Sequence, residues 1–169
     1  MVRKISARFA RPFAGKLDSV KIRPLAVALF AAVMVRAADA WPEFRGPTGQ
    51  GISDAAKLPI EWSPTHHVVW KRRVPGSGWS SPVISGGKVF LTTGVPSASG
   101  TLSLRAMAFD AASGNELWSR EIFVIADATA SPIHAKNSPA SPTPIVDGRS
   151  LFVHFGHHGT AALDLEGNI

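Results

Sequence analysis

Histidines and one polar loop hold the side chains that could do chemistry. His66-His67 follows a proline-rich turn, while His154, His157 and His158 surround Gly156. A zinc site wants three or four ligands converging at about 2.0–2.1 Å, and His154 with His157 supplies only a two-ligand start across a strand end. Turn or surface histidine is therefore the reading adopted. Ser80 and Ser81 lie in no Gly-x-Ser-x-Gly setting, so they read as residues leading into a strand and not as nucleophiles. Gly46, Gly49 and Gly51 have Pro47 among them, with no strand pattern before and no Lys-Ser/Thr after, which makes turns of them and not a phosphate cradle. The stretch 123–143 is long for a connection, and its His134, Lys136, Asn137 and Ser138 form a polar cluster that could face a ligand. No catalytic residue and no metal ligand set is assigned.

Composition narrows the partners. The chain has 169 residues and a formal net charge of +6, which on its face suggests nucleic acid. Its distribution removes that inference. Residues 1–40 carry eight basic side chains against Asp18 and Asp39, whereas the ten basic residues of 41–169 are balanced by ten acids. No basic field is left to neutralise a run of phosphates. The same forty residues read as a secretory signal peptide: a basic start, the apolar run Pro24–Val35, then Ala38-Asp39-Ala40 for cleavage before Trp41. Twelve apolar residues reach about 18 Å as a helix, short of the ~30 Å hydrocarbon layer, so an anchor is not expected. The expectation is an exported protein, periplasmic or extracellular, with no membrane span in the mature chain. Cysteine is absent, which excludes disulfides, thiolate metal sites and a lipidated cysteine.

The elements that would position these residues are strands. Val68–Val74, Ser81–Ile84, Lys88–Thr93, Leu102–Phe109, Glu116–Ile122, Thr143–Val146, Leu151–Phe155 and Thr160–Leu163 alternate with turn residues, and no helical period persists in the mature part. Gly86-Gly87 and Asp147-Gly148 each supply positive φ on both sides of a tight hairpin. The pattern also repeats. Pro82, Gly86, Phe90 and Gly94 recur as Pro144, Gly148, Phe152 and Gly156 at an offset of 62, and Ala108-Phe109-Asp110 recurs as Ala162-Leu163-Asp164 at an offset of 54. The eight extra residues of the first copy are placed in a loop at Val95–Leu102. Trp70 and Trp118 sit in like surroundings, 48 residues apart. Each unit reads as four strands, and a four-stranded sheet that cannot cover both faces alone must stack on another.

Ala108-x-Asp110-x-x-Ser113-Gly114-x-x-x-Trp118 resembles the tryptophan-docking motif of quinoprotein-like β-propeller repeats, with Ser where Thr is commoner. The WPEFRGP opening, VVWK, GWSSP and HAKNSPASPTP also resemble the N-terminal part of secreted propeller proteins of planctomycete-type bacteria. In such a motif Asp110 would accept backbone N–H groups, Gly114 would take the left-handed conformation, and Trp118 and Trp70 would pack between blades. The second copy departs from it, since Asp164-Leu-Glu-Gly167 is one residue shorter than Asp110 to Gly114.

The resemblance implies an all-β chain, an incomplete β-propeller of four-stranded antiparallel blades. Its parts would be a signal peptide 1–40, an irregular lead-in 41–66, a first blade region with the strand leading into it 67–122, a long connecting loop 123–143 and a partial second blade 144–169. The activity expected is that of a non-catalytic binding or scaffold module for a protein or a small molecule. Two alternatives are weighed. One is the N-terminal fragment of a pyrroloquinoline-quinone-dependent dehydrogenase, in which the resemblance implies a cofactor over the propeller axis beside a calcium ion. No acid or amide here can be assigned to that ion. The other is a partner in envelope assembly, weakened by the missing lipidation cysteine. With about one and a half blades, the mature stretch is also expected to self-associate.

Overall fold

A computed structural model of the chain describes residues 40–56, 58–126 and 133–169. The leader expected over 1–40 lies outside the described residues except for Ala40, as do residues 127–132 of the long loop. Among the described residues there is no α-helix, and no helix long and apolar enough to cross a membrane. The architecture is two antiparallel sheets. The first contains β1 (Val83–Ser85), β2 (Lys88–Pro96), β3 (Leu102–Asp110) and β4 (Glu116–Ile125), hydrogen-bonded in that order. The second contains β5 (Ile145–Asp147), β6 (Ser150–His154) and β7 (Thr160–Asp164).

Local chemistry explains the hairpins. Gly86 and Gly87 both have positive φ, 56° and 74°, which matches the two left-handed centres of a type I′ turn. The second hairpin departs from expectation. Asp147 is the last residue of β5, and of the two central residues Gly148 and Arg149 only Gly148 has positive φ, 59°, as a type II′ turn requires.

The register carries the repeat. Val83 pairs with Phe90 where Ile145 pairs with Phe152, and Lys88 pairs with Asp110 where Ser150 pairs with Asp164. Both offsets read from the sequence are therefore preserved in the ladders. The eight extra residues of the first copy do not form a longer loop. β2 and β3 have nine residues each against five each in β6 and β7, and five residues connect the strands in both copies. The insertion lengthens both arms of one hairpin and leaves its turn length alone.

β4 carries two register shifts against β3, which leave Leu117 and Ile122 without an opposite partner. Such bulges place neighbouring residues on one face, and Ile122 and Phe123 both pack against the core. That core lies between the sheets: Val83, Phe90, Leu104, Ala106 and Ala108 of the first meet Val146, Leu151, Val153 and Leu163 of the second, with Phe155 just beyond β6. The side-chain period of two sends these residues to the facing surfaces.

Most strand ends lie within one to three residues of those expected, and three departures go further. Val68–Val74 is not paired as a strand. β4 runs on to Ile125, so the first residues assigned to the loop 123–143 are strand. The lead-in is not merely irregular: Trp41 exchanges two 2.8 Å backbone bonds with Ile84, and the Pro42 carbonyl accepts the Val146 N–H at 2.8 Å. Two residues thus bridge β1 and β5.

Candidate functional site

The strongest constellation is a contact made twice. The Trp70 indole Nε1 donates to the Ala111 carbonyl at 2.9 Å, and its ring lies over Gly114, where an added Cβ would fall 2.5 Å from the ring. The Trp118 Nε1 donates to the Leu165 carbonyl at 3.1 Å, and its ring lies over Gly167, where a Cβ would fall 2.8 Å away. Gly114 and Gly167 have positive φ, 69° and 85°, so the same positions require glycine for conformation and for clearance. Trp118 does not pack on the turn of its own unit. Each tryptophan docks on the turn that follows in the next sheet along the chain.

Each turn is held by its aspartate. Asp110 Oδ1 accepts the Ser113 N–H at 2.7 Å and the Ser113 hydroxyl at 2.6 Å, which, with the hydroxyl bond the largest cause, hold its carboxyl below the usual range. Asp164 accepts the Asn168 side-chain amide at 2.8 Å and the backbone N–H groups of Asn168 and Glu166 at 2.8 and 3.0 Å. Its carboxyl is lowered too, chiefly by the Asn168 amide. In the shorter turn Asn168 thus does the work that Ser113 does in the longer one.

Arginines complete the contact. Arg120 Nε donates to the Gly167 carbonyl at 2.8 Å, and Arg72 reaches Asn115 Oδ1 at 3.5 Å. Sequence reasoning passed over both, although the signal was present: each lies two residues after its tryptophan, at the same offset of 48. Lys88 adds a bond of 3.2 Å to the Leu165 carbonyl and an ion pair of 2.7 Å with Glu166, the latter worth about 0–1 kcal/mol at the surface.

The loop cluster divides. His134, Lys136 and Asn137 are exposed, with His134 Nδ1 accepting the Lys136 N–H at 3.1 Å. Ser138 is buried, its hydroxyl engaging the Trp79 N–H at 3.1 Å, the Ala140 N–H at 3.3 Å and the Ser141 hydroxyl at 3.0 Å. It shapes a turn against the first sheet and does not face solvent with the other three.

The histidine rings meet as sequence neighbours, His66 with His67 and His157 with His158, with centroids 3.8 Å apart in each pair. His67 Nδ1 donates to the Glu61 carbonyl at 2.8 Å, and His154 shares a 2.9 Å bond with Thr160. His158 is shifted below its ordinary value by burial and by the neighbouring His157. Among the described residues no three His, Asp or Glu side chains converge as metal ligands would. The glycines at 46, 49 and 51 spend their N–H groups on the carbonyls of Glu43, Gly46 and Arg45, leaving none to cradle a phosphate.

One cleft lies where β1 and β5 begin. Glu43, Phe44, Trp79, Ser81, Ser141, Thr143 and Ile145 line a space of about 400 Å³. Ser81 and Thr143 are equivalent in the repeat, as are Trp79 and Ser141, and the Ser81 N–H donates to the Thr143 hydroxyl at 3.1 Å. Nothing in WPEF itself indicates that Glu43 and Phe44, part of the lead-in, fold back over both sheets. No protein-family model matches the chain, and no curated protein matches it.

Proposed function

We propose that this chain is an exported, non-catalytic binding or scaffold module assembled from four-stranded units of the quinoprotein-like β-propeller kind. The single observation that supports the reading is the tryptophan-on-turn contact made twice, Trp70 on Ala111–Gly114 and Trp118 on Leu165–Gly167. A device whose indole, glycine and aspartate all serve to hold one sheet on the next is a building joint. None of its groups is left over for chemistry.

In this reading the cleft at the head of β1 and β5 is where a ligand would rest. Trp79 and Phe44 are more than half exposed there, beside three hydroxyls and one carboxylate, a mixture of flat apolar surface and a few polar groups that suits binding. The test is to add pyrroloquinoline quinone and calcium to the full chain and follow absorbance and dye reduction. A scaffold gives neither signal; a bound-cofactor spectrum with dye reduction would replace this reading by the dehydrogenase one.

A further inference from the structure

The cleft at the head of β1 and β5 takes its walls from three segments that precede β6: the lead-in, the residues before β1 and the start of β5. Trp79 is fixed by its backbone, whose N–H donates to the Ser138 hydroxyl at 3.1 Å and to the Ala140 carbonyl at 3.0 Å. Its ring is 59% exposed. Trp70 and Trp118 spend their Nε1–H groups on carbonyls, whereas that of Trp79 bonds to no described residue. The repeat has Ser141 at the equivalent position, its hydroxyl 3.0 Å from that of Ser138. Seating the sheets therefore uses the Trp79 backbone and leaves its indole for a ligand.

The lead-in wall is a strained turn. The Gly46 N–H donates to the Glu43 carbonyl at 3.0 Å, and the Trp41 ring lies over Gly46, where a Cβ would fall 2.7 Å away. Within the turn Arg45 has φ 64°, a left-handed conformation uncommon outside glycine. Its guanidinium lies over the Phe44 ring, 5.5 Å from the centroid. Glu43 enters neither of the two ion pairs formed among the described residues. One turn thus presents a carboxylate, an aromatic ring and a guanidinium with no net charge.

That balance selects the ligand. A cation would find the Phe44 ring already paired with Arg45, and an anion would face the Glu43 carboxylate. A neutral molecule with apolar faces and many hydroxyls meets neither obstacle. We propose that the cleft binds a saccharide, the C–H face of one pyranose ring resting on Trp79 and its hydroxyls bonding to Glu43, Thr143 and Ser81. The carboxylate only accepts and the indole Nε1–H only donates, which matches hydroxyls that do both. The Thr143 hydroxyl accepts the Ser81 N–H at 3.1 Å and keeps its own hydrogen to donate. A space of about 400 Å³ lies near the lower limit of ligand pockets, about 300 Å³, so it takes a short oligosaccharide or the end of a longer chain. The inference rests on the binding reading above and gives it a ligand class.

The full chain is titrated by calorimetry with cellotriose, maltotriose, xylotriose and tri-N-acetylchitotriose, and with choline and acetate as the cationic and anionic probes. The proposal expects one of the trisaccharides to bind at a single site with little dependence on salt, as a neutral ligand requires, and choline and acetate not to bind. Trp79→Ala should weaken that binding about tenfold with an unchanged melting temperature, and Trp79→Phe should restore part of it. Glu43→Gln should weaken it about threefold, and it decides alone if Trp79→Ala does not fold. His134→Ala should leave it unchanged. Retention of the chain on the polymer of the same sugar marks a chain end as the source, and binding to the trisaccharide alone marks a free oligosaccharide. No binding by any of the four overturns the proposal, as does binding that both cleft variants leave intact, or binding of choline or acetate in their place. If no saccharide binds and pyrroloquinoline quinone with calcium also gives no spectrum, the saccharide assignment fails and the scaffold reading stands. A quinone spectrum with dye reduction removes the reading on which the assignment rests.

Discussion

The two sheets use equivalent residues at equivalent register, and they are buried very differently. Among the described residues the first has four strands, nine-residue central arms and a face covered by its neighbour; the second has three strands, five-residue arms and a face on which Ile145 and Phe152 stay partly exposed. Phe90 and Phe152 are the same residue at the same place in the repeat, one fully buried and the other not. Burial in such a chain is decided by the next unit and not by the local strand. The molecule's stability should accordingly be concentrated in the joint.

Trp118→Ala should break the comparison most severely. It removes the half-buried ring and the hydrogen bond that seat the second sheet, at a cost of about 3 kcal/mol by the lower range for such truncations. Trp70→Ala should cost clearly less, because the segment carrying it pairs with no strand. Thermal melts of the two variants side by side would show whether the joint between the sheets dominates.

Glycine substitutions sharpen the same point. Gly148→Ala meets open space at positive φ and should cost about 1–2 kcal/mol for conformation alone. Gly167→Ala adds a collision with the Trp118 ring and should cost more, as should Gly114→Ala against Trp70. Denaturant midpoints for the three would rank them; equal values would mean that the rings do not rest on those turns.

Within the loop, Ser138→Ala should lower stability by about 1 kcal/mol by removing a buried hydroxyl with several partners. His134→Ala and Lys136→Ala should stay within about 0.5 kcal/mol. Unchanged ligand or partner binding in those two variants would confine the loop to a packing role.

The smallest effect concerns acid. The carboxyls of Asp110 and Asp164 are held below their ordinary value of 3.8 by hydrogen bonds made in the folded turns. The stability they contribute is fully present above that value and is lost as pH falls through the lowered folded values. Asp110→Asn and Asp164→Asn should therefore lower the neutral plateau of a melting-temperature profile slightly and flatten its acid limb, so that variant and parent converge at low pH.

Most strands were legible in the sequence, because β-branched runs bounded by Gly turns and two constant offsets fixed both their places and their equivalence. Phe90 and Phe152 could be aligned from sequence, but which of them is covered could not, since that depends on stacking and not on pattern. Val68–Val74 carries a strand-like composition that no partner here satisfies. The direction of docking was equally hidden: Asp110, Gly114 and Trp118 are neighbours along the chain, yet Trp118 serves the turn at Gly167. Ser138 looked like its polar neighbours, and only the fold turns it inward.

A double-mutant cycle tests that direction most directly. Trp118→Ala combined with Gly167→Ala should cost clearly less than the sum of the single changes, by at least about 0.5 kcal/mol, since both remove one contact. Trp118→Ala combined with Gly114→Ala should be additive within about 0.5 kcal/mol. Coupling of Trp118 to Gly114 instead, with additivity at Gly167, would contradict a joint built between successive sheets.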